Sequence, residues 1–340
     1  MKTNNIFICC CFIILFGCKK DPVVAETSLC PAEGLIQTFT TPDGEEFFIY
    51  EDGAAYTNSN GSCNFELQYF DAKFIAINYE TIATETFLIT DEGDLFPTKS
   101  NFYEDFENTS EIEDLFVSSL TDTHLYWTSF TLQSPATPEV ADYTNLFQCI
   151  MNGTCTFIDN KIEVIKDPTD ASNQVLQLTS ISPTAAMVTS KTSISSSLNF
   201  YPKDSELWFE ADYYILDGMP FSIVDFESTY FFQEPGPRIV IRERKLELEN
   251  KFGSKLNFEN TSAATISPKQ WFTLKVHLKF SDVQDGVIEI WQDGIPIIST
   301  VGINLPISNS IQNILEVGAT ASSIGCILLM DNIRISNTPF

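Results

Sequence analysis

The chain has 340 residues and a formal net charge of −27, from 46 acidic and 19 basic residues. This acidic excess repels nucleic acid and anionic membrane surfaces, so it argues against any function that relies on general attraction to either. Apolar residues make up 44% of the chain and Phe occurs 28 times. The composition therefore suits a sizeable core of pleated sheet and excludes a disordered chain.

The first residues have the pattern of an export signal. Lys2 precedes an apolar run at residues 6–16, which is too short to span a bilayer in a mature protein. The run ends in Leu-Phe-Gly-Cys, and two lysines follow. Residues 1–17 therefore resemble a bacterial lipoprotein signal peptide. The resemblance implies cleavage before Cys18, acylation of that residue and anchoring in the cell envelope, with the outer membrane expected. An uncleaved signal or an ordinary secretory signal is the alternative.

Five cysteines lie beyond this signal, and an exported chain meets conditions that allow disulfides. Cys149 and Cys155 flank the turn-like sequence Ile-Met-Asn-Gly-Thr and are predicted to close a small loop. Cys30 and Cys63 are predicted to staple the amino-terminal part. Cys326 lies in an apolar run and is predicted to be a buried free thiol. The cysteine spacings and the presence of only two histidines argue against a zinc site.

Turn signals divide the rest of the chain into three parts. Residues 18–29 are interpreted as a tether. Residues 30–97 contain short apolar runs separated by Asp-Gly and Asn-Gly pairs, which predicts a small β domain built of hairpins. Residues 102–340 are predicted to form one larger domain.

The larger domain is predicted to contain one short helix followed by many strands. Ser110 and Glu113 fit a capping box and predict the helix, while the prolines of residues 134–140 predict a loop. Many short strands without helices between them predict an all-β fold of two antiparallel sheets packed as a sandwich. The predicted strands are residues 160–167, 173–180, 207–215, 237–244, 245–252, 271–280, 286–294 and 326–336.

The last part of the chain carries a resemblance. Trp271 opens a strand, Asp-Gly turns follow at residues 285–286 and 293–294, and the last strand contains Met-Asp-Asn-Ile-Arg. The Asp-Phe-Glu segment at residues 105–107 is expected to pair beside that last strand. This arrangement resembles the concanavalin A-like jelly roll of lectins, laminin-G-type modules and several polysaccharide lyases, over roughly residues 102–340.

The resemblance implies one metal. In related jelly rolls, carboxylates near the first strand and an aspartate near the last strand share a structural calcium. Asp105, Glu107 and Asp331 are at the corresponding places, and their oxygens are of the type that calcium requires. The alternative is that these acids are solvated at strand ends. No other cofactor is required by the pattern.

Basic residues concentrate in one part of this acidic chain. Nine of the nineteen lie between residues 238 and 279, against four acidic residues there. Strand alternation places Ile239 and Ile241 toward the core and the neighbouring arginines outward, and the same argument applies to the two strands that follow Trp271. The residues predicted to share one outward face are Arg238, Arg242, Arg244, Lys275, His277, Lys279, Glu289 and Trp291.

This face predicts binding of a polysaccharide, and of an anionic one in particular, on the concave side of the jelly roll. Tryptophan rings stack on the apolar face of a sugar, and arginine and lysine pair with carboxylate or sulfate groups. The alternative is a solvated outer face on which the basic residues pair with nearby glutamates.

A second hypothesis is a polysaccharide lyase that cleaves a uronic-acid polymer by β-elimination, as the resemblance implies. Arg242 would neutralise the substrate carboxylate, and His277 or Lys275 would accept the C5 proton. A tyrosine would protonate the leaving oxygen. The candidates are Tyr213, Tyr214 and Tyr230.

The sequence departs from the motifs of well-known jelly-roll enzymes. The Arg-x-Glu-Leu-Arg and Tyr-x-Lys-x-Gly motifs of alginate lyases are absent, and Gln-Ile/Val-His is matched only by Lys-Val-His at residues 275–277. The Glu-x-Asp-x-x-Glu motif of laminarinase-type hydrolases is matched only by Asp225 and Glu227. A third hypothesis is therefore a noncatalytic structural or adhesive surface lipoprotein.

Overall fold

The computed structural model describes residues 98–117, 124–185, 187–229, 235–307 and 310–340, together with the backbone of seven strands between residues 35 and 97. Cys18, Cys30, Cys63 and Tyr230 lie outside the described residues, so the predicted lipidation and one predicted disulfide remain predictions. In the part that the structure describes, no helix is both long enough and apolar enough to cross a membrane.

The first seven strands form one antiparallel sheet in which each strand pairs with the next along the chain. Two Asp-Gly pairs and one Asn-Gly pair lie in the sequence between successive strands, as expected for hairpin connections. The strands are β1 Leu35–Thr40, β2 Glu46–Tyr50, β3 Ala54–Thr57, β4 Leu67–Phe70, β5 Phe74–Ile77, β6 Phe87–Thr90 and β7 Leu95–Pro97.

The remaining strands form two antiparallel sheets, which we call the back sheet and the front sheet. The back sheet contains β8 Phe102–Glu104, β10 Lys161–Lys166, β11 Gln174–Ser180, β13 Glu206–Asp217, β18 Trp271–Lys279, β19 Gly286–Gln292, β20 Ile295–Gly302 and β22 Cys326–Ser336. The front sheet contains β9 Ser129–Gln133, β12 Ser190–Ser196, β14 Ser222–Thr229, β15 Pro237–Arg242, β16 Lys245–Asn250, β17 Asn257–Phe258 and β21 Ile311–Ser322.

The strand order alternates between distant parts of the chain. The back sheet runs β10-β11-β22-β13-β18-β19-β20, with β8 also paired to β22, and the front sheet runs β17-β16-β15-β14-β21-β12-β9. The fold is the two-sheet antiparallel jelly-roll sandwich that the sequence predicts.

The two sheets pack through side chains that alternate along each strand. In β18, Leu274, Val276 and Leu278 are fully buried, and Phe226 and Val317 meet the same core cluster from the front sheet. Each such side chain contributes roughly 1.5–3 kcal/mol by leaving water. Residues between them point away from the core, so each sheet has an outer face.

The helix prediction is wrong in its position. From Ser110 to residue 117, the last described residue of this segment, the helical structure is a 3-10 helix, Ile112–Leu115, whereas the α-helix in the described residues is α1, Val140–Met151. The Asp142 carboxylate accepts the Glu139 N–H at 3.1 Å and so satisfies one of the free donors at the start of α1.

Helix α1 lies against β9, at the edge of the front sheet. Leu146 and Ile150 are buried there, and the ring of Phe147 meets that of Phe130 edge to face at 4.7 Å. This packing supplies the stability that a short helix cannot obtain from its own hydrogen bonds.

The described part of the chain contains a disulfide between Cys149 and Cys155, as predicted. It links the last turn of α1 to the segment that follows. Cys326 is buried and free, also as predicted.

The expected pairing of residues 105–107 with the last strand is displaced. The paired segment is β8, just before them, and it meets Ile333–Ile335 of β22. Phe106 has φ +58, and its N–H donates to the Glu104 carboxylate at 2.9 Å, so the chain turns away from the sheet at this point.

One glycine allows two front-sheet strands to approach closely. Gly318 of β21 has φ +124, and a Cβ added there would lie 2.7 Å from the Thr192 carbonyl oxygen and 3.0 Å from the Ser193 Cα of β12. Only glycine fits this conformation and this approach. The contact helps to place the outward residues of β12 beside those of β21.

Candidate functional site

The residues predicted to share one outward face lie on two different sheets. Arg238 and Arg242 point outward from β15 of the front sheet, while the β18 and β19 residues point outward from the back sheet. Arg244 lies in the turn after β15 with φ +63, and its guanidinium donates to the Ile266 carbonyl at 2.8 Å. The core separates the two groups, so the prediction of one combined binding face is wrong. Alternation gives the phase of a strand, but it does not show which sheet the strand joins.

The back-sheet residues are packed against one another. The Nδ1–H of His277 donates to the Glu289 carboxylate at 2.8 Å, and its ring stacks on Trp208 with the ring centres 3.9 Å apart. Trp291 lies on β19, and its ring centre is 6.1 Å from that of Trp208. His277 is only 8% exposed. The ring faces are therefore largely occupied by neighbouring rings and are poorly placed to stack on a sugar.

The two lysines of β18 also have neighbours within the protein. Lys275 donates to the Phe340 carbonyl at 2.7 Å, and its ammonium lies 5.4 Å from the centre of the Trp208 ring. Lys279 is paired with Glu206 in the strand register at the end of β18. The outer face of the back sheet, called the back face below, is thus occupied by side chains that contact other groups of the protein.

The lyase roles suggested by the sequence cannot combine in this geometry. Arg242 lies on the opposite layer from His277 and Lys275, so these groups cannot act on one substrate atom. Tyr213 is fully buried in the core, and burial raises its pKa well above the usual value of 10. Tyr214 packs on the Trp271 ring of the back sheet at 5.3 Å.

The outer face of the front sheet, called the front face below, carries a ladder of ion pairs. Arg238 donates to Glu249 at 2.8 Å, and Arg242 pairs with Glu247 at 2.8 Å and also with Glu249. Burial acts to raise the pKa of Glu249, but the two arginines outweigh it and the pKa lies below the ordinary value. Both arginines also lie over the Phe221 ring, at 5.0 and 5.3 Å.

A second group of charges lies at the centre of the front face. Oxygen atoms of Asp225, Glu227 and Glu316 all lie within 4.8 Å of one another. The Lys251 ammonium is 2.7 Å from Asp225 and also contacts Glu227. The lysine therefore takes the place beside these two carboxylates that a metal ion would otherwise take. We call these four residues the central cluster.

The central cluster contains two buried carboxyl groups with opposite pKa shifts. Burial acts to raise the pKa of Asp225, but Lys251 outweighs it and the pKa falls below its ordinary value. Burial raises the pKa of Glu316, and the hydrogen bond from Ser193 and the charge of Lys191 offset only part of this effect. Neighbouring carboxyl groups whose pKa values are shifted in opposite directions are typical of sites that handle protons.

Two further side chains, one on β12 and one on α1, lie near enough to the central cluster for their pKa values or those of its carboxyl groups to be affected. Lys191 of β12 lies close enough to influence both Asp225 and Glu316. Tyr143 of α1 has a raised pKa because burial and Glu316 outweigh the opposing charge of Lys191. Among the described residues, no carboxylate lies within 4.0 Å of the Lys191 ammonium.

The rest of this half of the front face is neutral. Thr131 of β9 is paired in register with Ser193 of β12, and Ser195 follows on the same face. At the opposite end, a cleft of about 420 Å³ is bordered by Arg242, Lys245 and the segment at residues 257–261. The front face thus runs from hydroxyl groups, through the central cluster, to the ion-pair ladder.

Most of this site was missed by sequence reasoning. Asp225 and Glu227 alternate with apolar residues in β14, which is a visible signal, but they were considered only against a hydrolase motif. Glu316 is a single acid in an apolar run, which signals a buried charge. Lys251 and Tyr143 carry no local signal, because only the sheet pairing and the placement of α1 bring them to the cluster.

The residues predicted to bind calcium lie near β8 and β22, away from the front face. The Asp105 carboxylate accepts the Glu107 N–H at 3.2 Å, Glu107 accepts the Gln174 N–H, and Asp331 accepts from Asn173 at 2.8 Å. These three acids are not among the described groups whose ligand atoms all lie within 4.8 Å of one another. Calcium at this place stays a prediction.

Asp331 makes a pH-dependent contribution to stability. Burial, with smaller effects from Asp212 and Asp105, raises its pKa from 3.8 to about 6. The folded protein then holds a proton that the unfolded chain releases, so stability falls as pH rises through this range. We expect the free energy of unfolding to drop by about 1 kcal/mol from this group between pH 5 and pH 7.5.

Denaturant titrations at several pH values would measure this drop. Asp331→Asn should show a smaller loss over the same range. Calcium, if it binds these acids, should restore the wild type at the higher pH and leave the variant unchanged. Equal pH dependence in both proteins would contradict the assignment to Asp331.

The chain resembles known proteins both in sequence and in fold. The sequence profile of the family described as "Polysaccharide lyase" matches residues 91–321, about two thirds of the chain. No curated protein sequence matches the chain.

Several solved structures are similar in fold. An endo-β-1,4-glucuronan lyase from the fungus Trichoderma reesei is 13% identical and covers 53% of this chain and 88% of its own, with a TM-score of 0.45. The cellulose-induced protein Cip1 is 12% identical and covers 70% and 97%, also at 0.45. A PL-14 alginate lyase from Aplysia kurodai is 12% identical and covers 62% and 98%, at 0.36. On the extent of the profile match, the chain belongs to the polysaccharide lyase family.

Proposed function

We propose that the protein cleaves a uronic-acid-containing polysaccharide by β-elimination on the front face. The observation that carries the proposal is that the charges of Lys191 and of Glu316 in the central cluster both act on the pKa of Tyr143, so the three groups lie near one another on the front face. A sheet face that keeps a lysine, a phenol and a buried carboxyl group together has the groups that this reaction requires.

Each group has a role in the elimination. Lys191 and the protonated form of Glu316 would pair with the substrate carboxylate and stabilise the negative charge that develops when the C5 proton leaves. Glu227, the most exposed carboxylate of the central cluster with 22% of its side chain accessible, would accept that proton. The bond from C4 to the leaving oxygen breaks, a double bond forms between C4 and C5, and Tyr143 donates its proton to the leaving oxygen.

The direct test is product formation from a panel of polymers. Alginate, pectate, glucuronan, heparin-like chains and polymers with scattered uronate are incubated with the protein, and the ultraviolet absorbance of the unsaturated uronate is followed. We expect a rise with at least one polymer, and mass spectrometry should show products carrying the double bond. Absence of a rise across the whole panel would rule out the lyase.

A second candidate is binding without cleavage, as the sequence first suggested. It is favoured by one observation: His277, the histidine of the described strands, is packed on the back face, so no strand of the front sheet supplies a histidine among the described residues. This candidate predicts retention of the protein by a polysaccharide in affinity electrophoresis with no unsaturated product.

We also propose that the protein is anchored through Cys18 to the bacterial envelope, in the outer membrane. The resemblance of residues 1–17 to a lipoprotein signal supports this. Cys18→Ser should move the protein from the membrane fraction to the soluble fraction of the cells, and an unchanged distribution would contradict the proposal.

A further inference from the structure

The charges of the front face bear on the kind of polymer that fits it. Among the cations of the described front face, Lys245 at the far end donates to the Thr261 carbonyl, Lys191 lies near the central cluster, and three others already have carboxylate partners. These three are Arg238, Arg242 and Lys251.

The existing partners are held in place by burial. The side chain of Glu249 is 14% exposed, that of Glu247 9% and that of Asp225 3%. A substrate carboxylate that approached Arg238, Arg242 or Lys251 would therefore meet a fixed carboxylate beside the cation. To gain a pair it would have to displace an ion pair that is shielded from water, which is unfavourable.

Lys191 differs from these three cations. No described carboxylate lies within ion-pair distance of it, and its strand neighbours on the same face are the hydroxyl residues Ser193 and Ser195. Near the central cluster, the front face thus offers one cation for one substrate carboxylate, next to a surface that suits the hydroxyl groups of neutral sugars.

We propose that the preferred substrate is a heteropolysaccharide in which isolated uronate units are separated by neutral sugars, and not a homopolyuronate. This inference rests on the proposed function and names the substrate class of the same site. In a homopolyuronate, the sugars on both sides of the Lys191 subsite would place further carboxylates against Glu249, Glu247 and the central cluster. The net charge of −27 would add to that repulsion.

The test compares two classes of polymer for binding and for cleavage. The first class is homopolymeric alginate blocks and glucuronan. The second is exopolysaccharides of the gellan and xanthan type, in which each repeat carries a single glucuronate. Affinity electrophoresis and calorimetry are run at several salt concentrations, with ultraviolet detection of unsaturated product in parallel.

We expect the second class to bind at least about tenfold more tightly. The logarithm of its binding constant should fall with the logarithm of salt concentration with a slope of about −1 or less steep, as for a single charge contact. Lys191→Gln should remove this preference and flatten the slope. Lys203→Gln, at a cation paired with Asp282 away from the front face, should change neither.

The outcomes separate the two levels of the proposal. Preference for a homopolyuronate, with a slope steeper than about −3, would overturn the substrate class while leaving the lyase in place. Tight binding of the second class without product would support the charge argument and overturn the elimination. Lack of binding and of product with every polymer would overturn both.

Discussion

Replacing Tyr143 with Phe should lower kcat for elimination by about 10²–10⁴-fold, because the variant loses the proton donor and keeps the ring. The change removes one oxygen atom from a half-buried side chain on α1, so the thermal midpoint of unfolding should stay close to that of the wild type. KM should change little, because the carboxylate of the substrate is held by Lys191 and Glu316. The measurement is initial rate of unsaturated product over a range of substrate concentrations.

A matched control is Tyr126→Phe. The Tyr126 ring stacks on Phe102 of the back sheet at 4.6 Å, so this variant also loses one phenol oxygen but at a distance from the front face. Its kcat should equal that of the wild type. If Tyr143→Phe retains full kcat, Tyr143 is not the acid, and the assignment of the reaction centre fails with it.

Replacing Lys251 with Met should lower the free energy of unfolding by about 3–5 kcal/mol. The variant leaves Asp225 buried beside Glu227 and Glu316 without its ammonium partner, and removal of one member of a buried pair is strongly destabilising. Methionine keeps the length and the apolar stem of the side chain, so the loss reports the charge. Denaturant unfolding monitored by fluorescence is the measurement.

Two further variants make this result specific. Lys203→Met removes the partner of Asp282 where 35% of the lysine side chain is accessible, so water screens the pair more than at Lys251 and stability should change less. Adding Asp225→Asn to Lys251→Met should recover part of the loss, since the unpaired charge is then gone. A loss from Lys251→Met no larger than that from Lys203→Met would show that the central cluster is open to water.

Secondary structure was predictable where strands alternate cleanly. The strand from Trp271 has nearly the bounds that the sequence predicts, because every second residue is apolar. The strand from Cys326 was predictable from a short apolar run that ends in alternating residues. Strand β12 was missed because its sequence, Ser-Lys-Thr-Ser-Ile-Ser-Ser, has one apolar residue and a composition typical of loops. Its place in the sheet comes from pairing with β9 and β21.

The site was less predictable than the fold, for a physical reason. Asp225, Lys251 and Glu316 come from three segments far apart in the sequence, and only the strand order β16-β15-β14-β21 brings them together. The concentration of basic residues between 238 and 279 did indicate a charged outer face on β15, where Arg238 and Arg242 form ion pairs. The alternation within β18 could not show that this strand joins the back sheet. The residues of the predicted face are therefore divided between the two sheets.

The disulfide between Cys149 and Cys155 has a consequence for how the protein is prepared. It closes a loop at the carboxyl-terminal end of the helix that carries Tyr143, so an oxidised cystine restrains that end of the helix. Protein made in a reducing cytoplasm would lack this closure while keeping both sheets intact. We expect such a preparation to keep its sheets but to show a lower rate of the proposed elimination, and oxidative refolding should raise that rate.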